Sequence, residues 1–184
     1  MSGPVAELPP NLPVPVDDGA CDELPGKRFP ELGLPSTSGG RVDLSKLAGR
    51  VVVYCYPHTG RPGEATPAEW DAIPGARGCT PQSCSFRDHH AEFGRLGATV
   101  FGLSVDEPAW QREAAERLHL PFELLSDSRL ALSRALRLPT FEFNGRTYVK
   151  RLTMVASMGR ISKVFYPVFP PDRNVVDVLE WLRR

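Results

Sequence analysis

The chain has 184 residues, 41% of them hydrophobic, with 22 basic against 22 acidic side chains. That is enough apolar material for one domain with a real core, and the balanced charge gives none of the electrostatic footprint of a nucleic-acid or anionic-membrane binder. No apolar run approaches the roughly 18 residues of a membrane span, and Met1 to Asp18 has neither a basic start nor an apolar signal core, so a cytoplasmic protein is expected.

Eight of the 19 prolines precede residue 36. Leu8 to Val16 is therefore expected to be extended, part of a Pro-rich N-terminal arm over residues 1–28 that lies on the domain or trails from it. Cys21 has acidic neighbours, Asp22 and Glu23, which disfavour a thiolate there. Phe29 to Leu34 and Gly40 to Leu44 read as a short hairpin around Ser36-Thr37-Ser38-Gly39.

The dense β-branched and aromatic run from Arg50 to Tyr56 predicts a central strand buried on both faces, within which Cys55 is a small hydrophobe. Pro57 ends it. The glycines and prolines between Gly60 and Gly75 preclude long regular structure from His58 to Arg77, although Pro67-Ala68-Glu69-Trp70 can start one helical turn. Trp70 is expected to anchor this loop.

Thr80-Pro81 is a helix start signal: Thr can cap free amides, and proline's fixed φ suits a first turn. The helix is predicted to run toward Leu96, burying Phe86, His90, Phe93 and Leu96 on one face. Cys79 then stands at the N-terminal edge, where unpaired amides and the helix dipole favour an anion. Cys84 follows five residues on. Two helical Cα atoms so spaced are about 8.6 Å apart, whereas a disulfide needs about 4.4 to 6.8 Å. A bond between them requires the first turns to unwind, which favours a cycling pair over a static bridge.

Beyond this helix the pattern alternates: a strand over Ala98 to Asp106, a helix over Pro108 to Leu118, a strand over Phe122 to Ser126 and a helix over Arg129 to Leu136. This is the signature of an α/β sheet with parallel strands. Asn144-Gly145 marks a hairpin. Two antiparallel strands, Val149 to Ser157 and Arg160 to Tyr166, follow, and Asn174 to Leu182 closes the chain as an amphipathic helix led by Asp172.

Tyr54-Cys55-Tyr56-Pro57, Gly78-Cys79-Thr80, the Cys84 spacing, Phe86-Arg87-Asp88 and Gly102-Leu103-Ser104-Val105-Asp106 together resemble peroxiredoxins of the bacterioferritin-comigratory (Q-type) group, from about Phe29 to the C-terminus. The resemblance implies a thioredoxin-like α/β fold over residues 29–184, a central mixed sheet flanked by helices. It implies a peroxidatic Cys79, a resolving Cys84 and an active-site Arg151 in Arg151-Leu152-Thr153-Met154-Val155. Pro57 and Gln82 are the implied substrate-binding positions, and Arg77 is a further candidate because this chain departs from the family pattern there. The implied activity is reduction of hydrogen peroxide or organic hydroperoxides through a Cys79 sulfenic acid and a Cys79–Cys84 disulfide, re-reduced by thioredoxin or a similar dithiol, in a monomer that needs no metal, haem or flavin.

One departure is large. The family pattern places a Thr or Ser three residues before the peroxidatic cysteine and a Pro four before that; here 21 residues separate Pro57 from Cys79, and position 76 is Ala. Thr59 or Thr66 folds back to supply the hydroxyl, or the Arg77 side chain or backbone amides bind the peroxide alone.

Three other readings of the thiols compete. A zinc site of Cys79, Cys84, His89 and His90 is disfavoured because adjacent histidines diverge by about 100° on a helix and the two cysteines do not share a face. A general thiol-disulfide exchanger usually spaces its cysteines by two residues, not four. A redox sensor using the same pair is the non-enzymatic alternative.

Overall fold

The computed structural model describes residues 8–184; the first seven residues of the expected arm lie outside the described residues. The described part of the arm lies on the domain: Pro15 packs toward Gly75, and Asp18 accepts hydrogen bonds from Lys150 Nζ (3.2 Å) and the Tyr166 hydroxyl (2.9 Å). Cys21 and Leu24 are already core residues.

In chain order, a small antiparallel pair, β1 (Gly33–Pro35) and β2 (Arg41–Asp43), realises the first hairpin, shorter than its sequence suggested. Then come β3 (Arg50–Cys55), the one-turn α1 (Ala68–Asp71), α2 (Cys79–Asp88), α3 (His90–Arg95), β4 (Ala98–Ser104), α4 (Pro108–Arg117), β5 (Glu123–Ser126) and α5 (Ala131–Leu136). The hairpin β6 (Thr140–Phe143) and β7 (Arg146–Val149), strands β8 (Leu152–Ser157) and β9 (Arg160–Phe165), and α6 (Asn174–Leu182) complete the chain.

The central sheet has the order β5-β4-β3-β8-β9. β3 pairs parallel with β4 and antiparallel with β8, which makes the sheet mixed, as expected of a thioredoxin-like fold. Because side chains alternate along a strand, β3 feeds both cores. Val51, Val53 and Cys55 join Leu103, Leu125, Leu132 and Met154 on one side. Val52, Tyr54 and Tyr56 join Phe86, Phe93, Val175 and Leu179, from α2, α3 and α6, on the other.

Three further departures from the sequence reading bear on the site. The helix expected to reach Leu96 breaks at His89 (φ −102°, ψ 7°), whose Nδ1 lies 2.9 Å from the Ser85 carbonyl; this histidine is a junction residue. The strand expected from Val149 starts instead at Leu152, because Val149 is committed to β7, opposite Thr140, and the chain must turn at Lys150-Arg151 to enter the main sheet. Asp172 caps nothing with its side chain; it lies in a 3-10 turn, Pro171–Arg173, and its carbonyl accepts from Ser85 Oγ at 2.7 Å.

Candidate active site

Gly78, not Thr80, sets the start of α2. Its φ of +108° is open to glycine, and a Cβ there would lie 2.4 Å from Pro171 Cγ, so the chain turns sharply and Cys79 becomes the first helical residue. Beneath the helix, Tyr54 of β3 stacks on Phe86 with ring centroids 4.5 Å apart, and its hydroxyl bonds Ser83 Oγ at 3.0 Å. Gly102 on β4 makes room for this, since a Cβ there would meet the Tyr54 ring at 2.8 Å.

Arg151 stands in the turn before β8, only 3% exposed. Its Nη2 donates to Cys79 Sγ at 3.1 Å, to the Ala76 carbonyl at 3.1 Å and to the Arg77 carbonyl at 3.3 Å. Its Nε donates to the Gly75 carbonyl at 3.2 Å, and its Nη1 to Gln82 Oε1 at 2.5 Å. Every one of these acceptors apart from the sulfur is a neutral carbonyl or amide oxygen. Among the described residues this guanidinium has no carboxylate partner, and its fixed positive charge is aimed at Cys79 Sγ. In its protonated form the sulfur donates to the Ala76 carbonyl at 3.7 Å.

Gln82, one of the expected substrate contacts, is fully buried behind Arg151: its Oε1 accepts from the guanidinium and its Nε2 donates to Asn174 Oδ1 at 3.4 Å. The same Asn174 oxygen accepts from Thr153 Oγ1 at 2.6 Å. Asn174 and Thr153 are therefore parts of the site that sequence reasoning missed. Nothing local marks them, since the contact joins a helix start, a strand and α2 across the fold.

Cys84 lies on the same continuous helix as Cys79, 4% exposed, and burial pushes its thiol up, partly opposed by Arg87. Cys55 is raised by burial as well. Cys21 is pushed up to about 12 by burial and by Asp18, Asp17 and Asp22.

A cavity of about 510 Å³ opens over Cys79 and Thr80, walled by Trp70, Phe143 and Tyr148 and by the loop residues His58, Thr66 and Arg77. Of the side chains that could stand in for the missing hydroxyl, Thr66 lines this cavity. Thr59 is buried, with its N–H donating to Asp106 Oδ2 (3.2 Å) and its carbonyl accepting from Trp110 Nε1 (2.6 Å). The Arg77 guanidinium is turned to Asp71 Oδ1 at 3.0 Å. Pro57 is buried at the end of β3 and does not line the cavity. Trp70 does anchor the loop, against Tyr148 (centroids 5.0 Å), Phe143 (5.2 Å) and Phe141 (5.6 Å) of the β6–β7 hairpin.

Residues 24–179 match the Redoxin family. Peroxiredoxin Bcp of Bacillus subtilis is 31% identical over 163 residues, covering 86% of this chain and 94% of that one. The chloroplastic peroxiredoxin Q of Gentiana triflora is 31% identical over 156 residues, 84% of this chain and 64% of that one, so the chain spans less than two thirds of that relative. Among solved structures, peroxidoxin BcpB from Mycobacterium tuberculosis superposes with a TM-score of 0.70 at 27% identity, over 86% of this chain and 96% of its own.

Proposed function

This chain is a member of the redoxin family, in its peroxiredoxin Q/Bcp branch, and from that premise we propose that it is a thiol-dependent peroxidase with Cys79 as nucleophile. The sulfur attacks one oxygen of the peroxide, the O–O bond breaks, and a sulfenic acid and an alcohol or water result. The observation that carries this reading is the buried Arg151 guanidinium 3.1 Å from Cys79 Sγ, its other acceptors all neutral oxygens. The same fork is suited to the charge that develops on a bound peroxide, because its planar donors are fixed before the reaction begins.

Cys84 resolves the sulfenic acid by attacking its sulfur, releasing water and forming an intramolecular disulfide. Continuous helix keeps the two Cα atoms about 8.6 Å apart, so α2 must unwind first, breaking the Tyr54–Ser83 and Ser85–Asp172 hydrogen bonds. Unwinding also exposes the Cys84 thiol, which removes the burial that holds its proton on. A thioredoxin-like dithiol of a reducing, cytoplasmic compartment then restores both thiols. An intramolecular pair asks nothing of a second chain, so a monomer suffices, and the reaction draws on no metal or prosthetic group.

The test is peroxide consumption by the reduced protein with thioredoxin, its reductase and NADPH. Reduction of insulin disulfides without peroxide consumption would make the protein a thiol-disulfide exchanger, and neither activity would leave a sensor. After one equivalent of peroxide, mass spectrometry is expected to find Cys79 linked to Cys84 within a single chain. A bridge to Cys21 or Cys55, or between chains, would reassign the resolving residue.

A further inference from the structure

The loop that opens after Pro57 carries a histidine for which the chemistry above has no use. His58 lines the same cavity as Cys79, with its side chain 25% exposed. Its Nδ1 lies 2.5 Å from Asp106 Oδ1, and that carboxylate is 1% exposed, with its second oxygen accepting from the Thr59 N–H at 3.2 Å. Trp110 packs against the imidazole at 5.1 Å between centroids, and Tyr148 and Trp70 stand at 6.1 and 6.2 Å. The charged groups around the pair are Arg146, whose Nη2 is 3.7 Å from Asp106 Oδ1, and Arg61, stacked 3.6 Å above the Trp110 ring. Tyr148 and the buried Tyr56, whose hydroxyl feels the Asp106 charge, are further titratable neighbours. Among the described residues, Nε2 has no hydrogen-bond partner.

A buried carboxylate on one ring nitrogen fixes both the orientation and the tautomer of an imidazole and supports a positive charge on it, which leaves the other nitrogen to carry a proton in and out. The peroxide step needs such a carrier. Cys79 must lose a proton before it attacks, and the oxygen that departs from a hydroperoxide is a strong base that must gain one. Ala76 offers the cavity no hydroxyl, and the Arg77 guanidinium is engaged by Asp71.

We propose that His58 is the proton relay of the peroxide step, taking at Nε2 the proton that leaves the Cys79 thiol and returning it to the departing oxygen, with Asp106 as its positioning residue. The S–O bond forms as the O–O bond breaks, the sulfur is oxidised by two electrons to a sulfenic acid, and the hydroperoxide is reduced to the alcohol. The thiol proton ends on that alcohol, so no outside acid or base is consumed. The inference rests on the peroxidase reading.

The test compares two oxidants on the reduced, full-length protein by quenched-flow measurement of Cys79 oxidation. An alkyl hydroperoxide expels a basic alkoxide that needs the relayed proton; peroxyacetic acid expels a carboxylate that does not. His58→Gln, and His58→Phe, which keeps a ring against Trp110, are both expected to slow the alkyl hydroperoxide about 100-fold, a typical contribution of a positioned acid. The peroxyacid reaction keeps only the need to deprotonate Cys79, so both variants should slow it far less than the alkyl hydroperoxide reaction. Asp106→Asn should shift the pH profile of the alkyl hydroperoxide reaction more than that of the peroxyacid reaction. Equal slowing of both oxidants in both His58 variants would show a structural role and overturn the relay, as would no slowing of either or an unshifted Asp106→Asn profile. A wild-type protein inert to both oxidants would instead refute the peroxidase reading.

Discussion

Cys79→Ser is expected to reduce thioredoxin-coupled peroxide consumption to the background rate. The substitution removes one kind of atom and little else: Ser is close to Cys in size, the Gly78 turn and the Tyr54–Phe86 stack do not depend on the sulfur, and Arg151 keeps its carbonyl acceptors. A serine hydroxyl in this position has no comparable nucleophile to offer, since it ionises far above a thiol and alkoxide is not populated beside an arginine alone. Cys84→Ser is the control. It should still consume one equivalent of peroxide per chain and then stop, because the sulfenic acid forms but has no internal thiol to resolve it. Retention of most activity in Cys79→Ser would sink the assignment, and a full loss in both variants without that first equivalent would point to damage to α2 instead.

The next largest effect belongs to Arg151. Arg151→Ala is expected to slow Cys79 oxidation by about 100-fold to 1000-fold, the range found when one preorganised donor at a reacting centre is lost. Arg151→Lys should recover little of it. The native side chain spreads its donors over Gly75, Ala76, Arg77, Gln82 and Cys79 at once, and an ammonium can supply charge but cannot span that set. Stopped-flow oxidation rates beside urea midpoints make the check, because both variants also leave carbonyls and the Gln82 amide oxygen without their donor and should be destabilised. Full activity in Arg151→Ala removes the residue from the site; a lowered midpoint with an unchanged oxidation rate makes it a structural brace for the end of the inserted loop.

Much of the fold was legible because local pattern and global need agree. The β-branched run of β3, the Asn144-Gly145 turn and the apolar stripe of α6 each bury the face their periodicity names. The two cysteines of α2 were legible for a similar reason: spacing along one helix is local information. What failed to show was contact across sequence. Thr80-Pro81 read as a cap because those residues prefer such places, yet the packing of Pro171 and Leu8 around Gly78 moved the start of α2 back to Cys79. Gln82 was a substrate contact only as the resemblance implied it. Its real neighbours, Arg151 and Asn174, approach from the turn before β8 and from the start of α6. His58 carried no pattern at all, since its partner Asp106 lies just past the far end of β4.

Trp70 entered as the anchor of a loop, and its surroundings also make it an optical element. The chain has three tryptophans. Trp70 lines the cavity over Cys79, Trp110 packs against His58, and Trp181 packs with the core on the α6 side. Two of the three indoles therefore sit where oxidation, proton movement or release of the loop alters quenching and polarity. Intrinsic emission should consequently follow the catalytic cycle without a label, and replacing Trp110 and Trp70 one at a time by Phe would separate the signal of the imidazole from that of the loop.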